Sequence, residues 1–126
     1  MKLITYKIQN SESHQIGVVE DNLIYNLNNY FGDISLVDMF QVENYQDQIA
    51  LHICNDDCVK HDFKDINLLP PIPNPTSFRD AYAFRQHVET SRKNRGLNMI
   101  SEFDQFPVFY FSNHNTMFAD GEEIKL

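Results

Sequence analysis

Asp80 and His87 stand seven residues apart in a stretch that holds every arginine of the chain. Seven residues is almost two helical turns, so on one helix both side chains would share a face, roughly 10 Å apart along the axis. That separation excludes a direct bond but suits two groups gripping different parts of one small substrate. A histidine near an acid and a bound metal can act as a general base at neutral pH, and a carboxylate is the ligand that hard cations such as Mg²⁺ prefer. Around them, Arg79, Arg85, Arg92, Arg95 and Lys93 crowd residues 79–95 with only Asp80 and Glu89 as acids. The rest of the chain sets five cations against sixteen acids. Arginine offers a fixed fork of donors matched to a carboxylate, so the island reads as a site for a small anion. The plainer alternative is a capping acid, a surface histidine and cations that face solvent or pair with acids elsewhere.

A second set of chemically capable residues is His52-x-Cys54-x3-Cys58-x2-His61, four potential zinc ligands in ten residues. Cys54, Cys58 and His61 would share a helical face, although the spacing lacks the tight turn of a CxxC knuckle. The competing reading is two partly buried thiols near surface histidines. His14 and His114 have no acid or thiol at a telling spacing. Asp56-Asp57 and Glu122-Glu123 are adjacent pairs whose side chains diverge. With 4 Gly in the chain, no phosphate loop, nucleophile elbow or cysteine-based catalytic motif is present.

These residues need elements to hold them. Lys2–Ile8 alternates as a half-buried strand, and Gln15–Val19 with Leu23–Leu27 reads as a hairpin across Glu20-Asp21-Asn22. From Ser35 the apolar spacing turns helical, with Ser35 or Asp33 as cap and Leu51 as the far end. Four of the 5 prolines fall in Leu68–Pro75, which must be extended and marks a domain boundary. Ser77-Phe78-Arg79-Asp80 has the form of a capping box and predicts a helix to Asn94 or Arg95, stopped by Gly96. Phe106–Asn113 predicts a buried strand, and Ala119–Glu122 a turn into Ile124, where a further strand would begin. A strand starting so near Leu126 leaves its partner unaccounted for, so the chain reads as a fragment.

The whole composition bounds the possibilities. The chain has 126 residues, 42% of them hydrophobic and 22% charged, the balance of a globular protein. A formal net charge of -8 repels polyanions, which argues against nucleic-acid binding. No run approaches the length of a membrane helix, and Met-Lys-Leu-Ile-Thr-Tyr-Lys breaks before a signal core forms, so a soluble cytoplasmic protein is expected, with no membrane partner. Two cysteines make no disulfide framework.

The connector and the segments after it resemble a known family. Leu68-Leu69-Pro70-Pro71-Ile72-Pro73-Asn74-Pro75, then Phe78-Arg79-Asp80-Ala81-Tyr82-Ala83-Phe84-Arg85-Gln86-His87, then Pro107-Val108-Phe109-Tyr110-Phe111 are similar to the N-terminal portion of the fumarylacetoacetate hydrolase family. These are metal-dependent enzymes that cleave, isomerise or decarboxylate β-keto and 1,3-diketo acids. The resemblance is strong over residues 68–126 and weaker over 1–67. It implies an α+β, mainly β fold. Residues 1–69 would be a small SH3-like N-terminal β domain with a helix. Residues 70–126 would be the proline connector, the lid helix and the first strands of a mixed β-roll.

Position by position, the resemblance makes Asp80 a metal ligand, His87 the general base, and Tyr82 and Tyr110 substrate contacts. The arginine that grips a substrate carboxylate falls where Arg92 and Arg95 sit, with Arg92 the one chosen. The acid found three residues after the histidine in smaller members is Thr90 here, leaving Glu89, Glu102 or a later acid as the histidine's partner. Family enzymes complete the metal site with a Glu-x-Glu pair and another aspartate, and use a lysine on the leaving group; none of these is matched in this sequence. The implied cofactor is Mg²⁺, or Ca²⁺ or Mn²⁺, with the remaining ligands outside the chain. The implied reaction is C–C cleavage of a small keto acid by a homodimer, inactive as these residues alone. The metal would chelate the enolised substrate while His87 activates water. Two rivals remain: a truncated binding or self-association module whose aromatic strand needs covering, and a small zinc-stabilised domain.

Overall fold

The computed structural model describes residues 1–124 and is mixed α+β, mainly β, built on a curled antiparallel sheet with a few helices. It divides into two compact units. The first is Met1–Asn74 with the described part of Met117–Leu126; the second is Pro75–Thr116. The division falls inside the proline run, because Thr5 Oγ1 donates to the Pro71 carbonyl at 2.6 Å and Pro70 is buried.

The first unit is a five-stranded antiparallel sheet in the order β4-β3-β2-β1-β5. Its strands are β1 (Lys2–Ile8), β2 (Gln15–Glu20), β3 (Leu23–Asn26), β4 (Lys60–Asp62) and β5 (Ile66–Leu69). The β2–β3 hairpin closes on Asp21 and Asn22 with φ of 47° and 68°, the left-handed pair that a two-residue turn of matching twist demands. Period-two alternation puts Ile16 and Val18 on one face. There they pack with Leu27, and with Leu36, Met39 and Ile49 from the helices, into the larger core. Tyr6, Ile24 and Ile66 form a smaller core elsewhere on the sheet. At Gly17 a Cβ would lie 2.8 Å from Ile24 Cγ2 and 3.1 Å from Tyr6 Cε1, so only glycine lets these strands and side chains approach.

The expected helix from Ser35 to Leu51 is instead two helices, after a single turn, α1 (Asn28–Phe31). Ser35 caps α2 (Leu36–Met39) in a capping box with Asp38: the Asp38 N–H donates to Ser35 Oγ and the Ser35 N–H to Asp38 Oδ2. The chain then leaves the helix and restarts as α3 (Tyr45–Ile53) after Asn44, whose φ of 54° turns the path. The break lets Leu36, Met39 and Ile49 reach one core.

In the second unit the predicted helix from Ser77 is corrected more deeply. Phe78–Ala81 is a strand, β6, paired antiparallel with β7 (Phe109–Ser112), and helix α4 spans only Arg85–Asn94. Ser77 therefore caps nothing. The Ser-x-x-Asp pattern describes local preference, whereas pairing with a segment some thirty residues later decides the backbone of Phe78–Ala81. The far end is as expected: Gly96, at φ 72°, donates to the Lys93 carbonyl and Leu97 to that of Arg92, a glycine-closed helix end. The segment Phe106–Asn113 contains its strand, but β7 is not buried: Tyr110 is 66% and Phe111 63% exposed. Ala119–Glu122 makes the expected turn, with Gly121 at φ 80°. Ile124 lies in no strand, and any continuation through Lys125 and Leu126 lies outside the described residues. Among the described residues no helix is long and apolar enough to cross a membrane.

Candidate functional site

The structure parts the candidate residues into two groups. Because Asp80 is on β6 and His87 on α4, they do not share a helical face, and the two-turn alignment read from the sequence is overturned. Asp80 instead lies directly opposite Tyr110 in the β6–β7 register, both exposed. Tyr82, His87 and Arg92 come together. With Val88, Ser91, Arg95 and Ile100 they line a cavity of about 160 Å³ along α4.

Helical periodicity explains this second group. His87, Ser91 and Arg95 follow one another at four-residue spacing and Arg92 borders them, so α4 with its C-cap residue Arg95 presents imidazole, hydroxyl and two guanidinium groups. Val88, the buried apolar residue of this helix, anchors it from the adjoining position. Tyr82, in the turn between β6 and α4, stacks on Phe103 with rings 12° from parallel and centroids 6.5 Å apart. With Phe103 it also borders a larger, mostly apolar hollow of about 400 Å³ that Asp104–Val108 help to line.

The basic island dissolves into four separate roles. Arg85 donates through Nη1 to both carboxylate oxygens of Asp104 at 2.5 Å, and Arg79 lies over the rings of Phe109 and Phe111, 5.8 and 5.2 Å from their centroids. Arg92 is half-buried and its Nε donates to the Asn98 carbonyl at 2.5 Å, which fixes the guanidinium while leaving its terminal nitrogens uncommitted. Arg95 is exposed. Among the described residues neither Arg92 nor Arg95 has a carboxylate partner, and both border the cavity. An anion is the complementary ligand there. Ser91 and Arg95 complete the lining; their helical spacing from His87 was the legible signal, and Ile100, from a separate loop, had none.

The cysteine–histidine set in the first unit is structural. Helix α3 ends at Ile53, so Cys54, Cys58 and His61 share no helical face: Cys54 is exposed, Cys58 is buried beyond a turn, and His61 is on β4. His52 Nε2 lies 2.9 Å from the Asn26 carbonyl and 3.2 Å from Cys58 Sγ. Asn26 in turn donates through Nδ2 to the Tyr6 hydroxyl at 2.8 Å and to Gln15 Oε1 at 3.0 Å. Burial raises the Cys58 thiol above its ordinary range, only partly offset by Lys60, and raises the Tyr6 phenol likewise. Among the described residues no group of three or more His, Cys, Asp or Glu side chains is gathered to hold a metal ion. No family model matches the chain, and no curated protein matches it.

Proposed function

We propose that these residues are the N-terminal part of a fumarylacetoacetate hydrolase-like enzyme that cleaves a C–C bond of a small β-keto or 1,3-diketo acid. In this reading the first unit is the SH3-like N-terminal domain, α4 is the lid helix and the β6–β7 ribbon begins the β-roll. The supporting observation is the convergence of Tyr82, His87 and Arg92 on one cavity. Arg92, held by Asn98, forks onto the substrate carboxylate through its terminal nitrogens. His87 takes the proton of the attacking water and Tyr82 closes one wall, while Tyr110, on the ribbon opposite Asp80 and outside this cavity, is the second tyrosine the reading gives to the substrate. Mg²⁺, or Ca²⁺ or Mn²⁺, supplies charge stabilisation for an enolate when bound. Asp80 is the ligand this reading assigns to it, and the described residues build no cage around Asp80. A cytoplasmic homodimer belongs to the same reading.

The test is hydrolysis of an acylpyruvate by the protein as its source makes it, with Mg²⁺ present. Turnover falling by about 10²-fold or more in His87→Ala, with KM rising in Arg92→Ala, is expected; full activity in His87→Ala would sink the assignment. A second reading, a catalytically incomplete self-association module, is favoured by the exposure of the aromatic strand β7.

A further inference from the structure

The β6–β7 ribbon has two unlike faces. Residues opposite each other in an antiparallel pair point to the same side, so the register places Arg79 with Phe109 and Phe111 on one face. Phe78, Asp80 and Tyr110 occupy the other. Each face is thus aromatic with a single charge, positive on the first and negative on the second. Both are open to solvent: Phe109 is 43% and Phe111 63% exposed on the cationic face, Phe78 41% and Tyr110 66% on the anionic face. Among the described residues neither Arg79 nor Asp80 has an ion-pair partner. An isolated two-stranded ribbon is marginal in water and gains stability when a face is covered.

We propose that the cationic face of this ribbon docks onto the anionic face of the ribbon in a second copy of the chain. Charge complementarity selects the pairing. Cationic face on cationic face sets Arg79 against Arg79, anionic on anionic sets Asp80 against Asp80, and only the unlike faces bring Arg79 to Asp80 while stacking aromatic on aromatic. Sheets packed face to face lie about 10 Å apart, a gap that an arginine and an aspartate close by reaching from opposite sides. The contact joins two different surfaces, so each copy keeps one face unused and further copies can add to the stack. The anionic face carries Asp80 and Tyr110, which the catalytic proposal gives to metal and substrate, so this docking rests on the module reading and gives it its partner. Its readout is association rather than turnover, so the two proposals can fail separately.

The experiment is sedimentation velocity on the full chain over a range of concentration and salt, with Arg79→Asp, Asp80→Arg and the double exchange. Arg79→Asp makes both faces negative and Asp80→Arg makes both positive; each is expected to weaken self-association by about tenfold or more. An equimolar mixture of the two single variants is expected to associate again, as is the double exchange, in which the charges have traded faces. Wild-type association is expected to weaken as salt rises. A wild-type chain that stays monomeric at high concentration, single variants that associate like wild type, or folded single variants whose mixture stays monomeric each overturn the proposal. Should either reversal unfold the ribbon, the salt series decides, and salt-insensitive association overturns it.

Discussion

The five-stranded sheet carries β-branched Ile, Val and Thr and the two-stranded ribbon aromatic Phe and Tyr, yet one hides its apolar side chains and the other does not. In the first unit Tyr6, Ile24, Leu27, Met39 and Ile49 are the largest fully buried side chains, and helices α2 and α3 close over the sheet. In the second, Val88 is the buried hydrophobic residue, and every residue of β6 and the aromatics of β7 are exposed. Three or more strands with a covered face make a unit stable by itself, whereas a bare ribbon and one helix are not expected to. The candidate site therefore resides in the less consolidated unit, where ligand or partner contacts have most to add.

Leu27→Ala is the largest expected break in this contrast. It empties part of the main core and should cost about 2–5 kcal/mol in urea unfolding, while Val88→Ala should leave the melting of the sheet unit unmoved. Native-state hydrogen exchange checks the same point without mutation: amides of β1–β3 should exchange on the order of a hundredfold more slowly than those of β6–β7. Equal protection of ribbon and sheet would erase the distinction. A sharper and smaller probe is Gly17→Ala, whose added methyl meets Ile24 at 2.8 Å and should cost roughly 1–3 kcal/mol, read as a lowered denaturation midpoint of the sheet unit alone.

The smallest effects are pH-linked and again belong to the sheet unit. Hydrogen bonds from the side chain and backbone of Ser35 hold the Asp38 carboxyl below its usual range. Its contribution is present above the ordinary carboxylate pKa and is lost as pH falls through the lowered value. Cys58 runs the other way: its raised thiol adds stability below the ordinary thiol pKa that is lost as pH rises through the raised one. Asp38→Asn should flatten the acid limb of a stability–pH curve and Cys58→Ser the alkaline limb, with the ribbon's exchange rates unchanged by either.

Features carried by local chemistry were legible in the chain itself. The β1 strand, the Asp21-Asn22 hairpin, the Ser35 cap and the Gly96 stop each follow from a few neighbouring residues, whereas the proline run, expected to be extended, bends over residues 71–74. The helical face of His87 and Ser91 was readable for the same reason. Less legible were β4 and β5, short segments that become strands because β3 and β1 offer them partners. The division of α2 from α3 depended on which side chains could share a core, not on their spacing.

Composition and local pattern by themselves determined a mainly β chain with a basic stretch and an anion-suited helix face, since charge, turn chemistry and periodicity are properties of adjacent residues. Only the tertiary structure decided that Asp80 and His87 belong to different elements, that Arg85 is paired with Asp104 while Arg79 lies over the Phe109 and Phe111 rings, and that Arg92 and Arg95 border one cavity. The reason is the pairing of Phe78–Ala81 with Phe109–Ser112. A strand exists through a partner distant in sequence, and that partner outweighed a capping motif complete in every local respect.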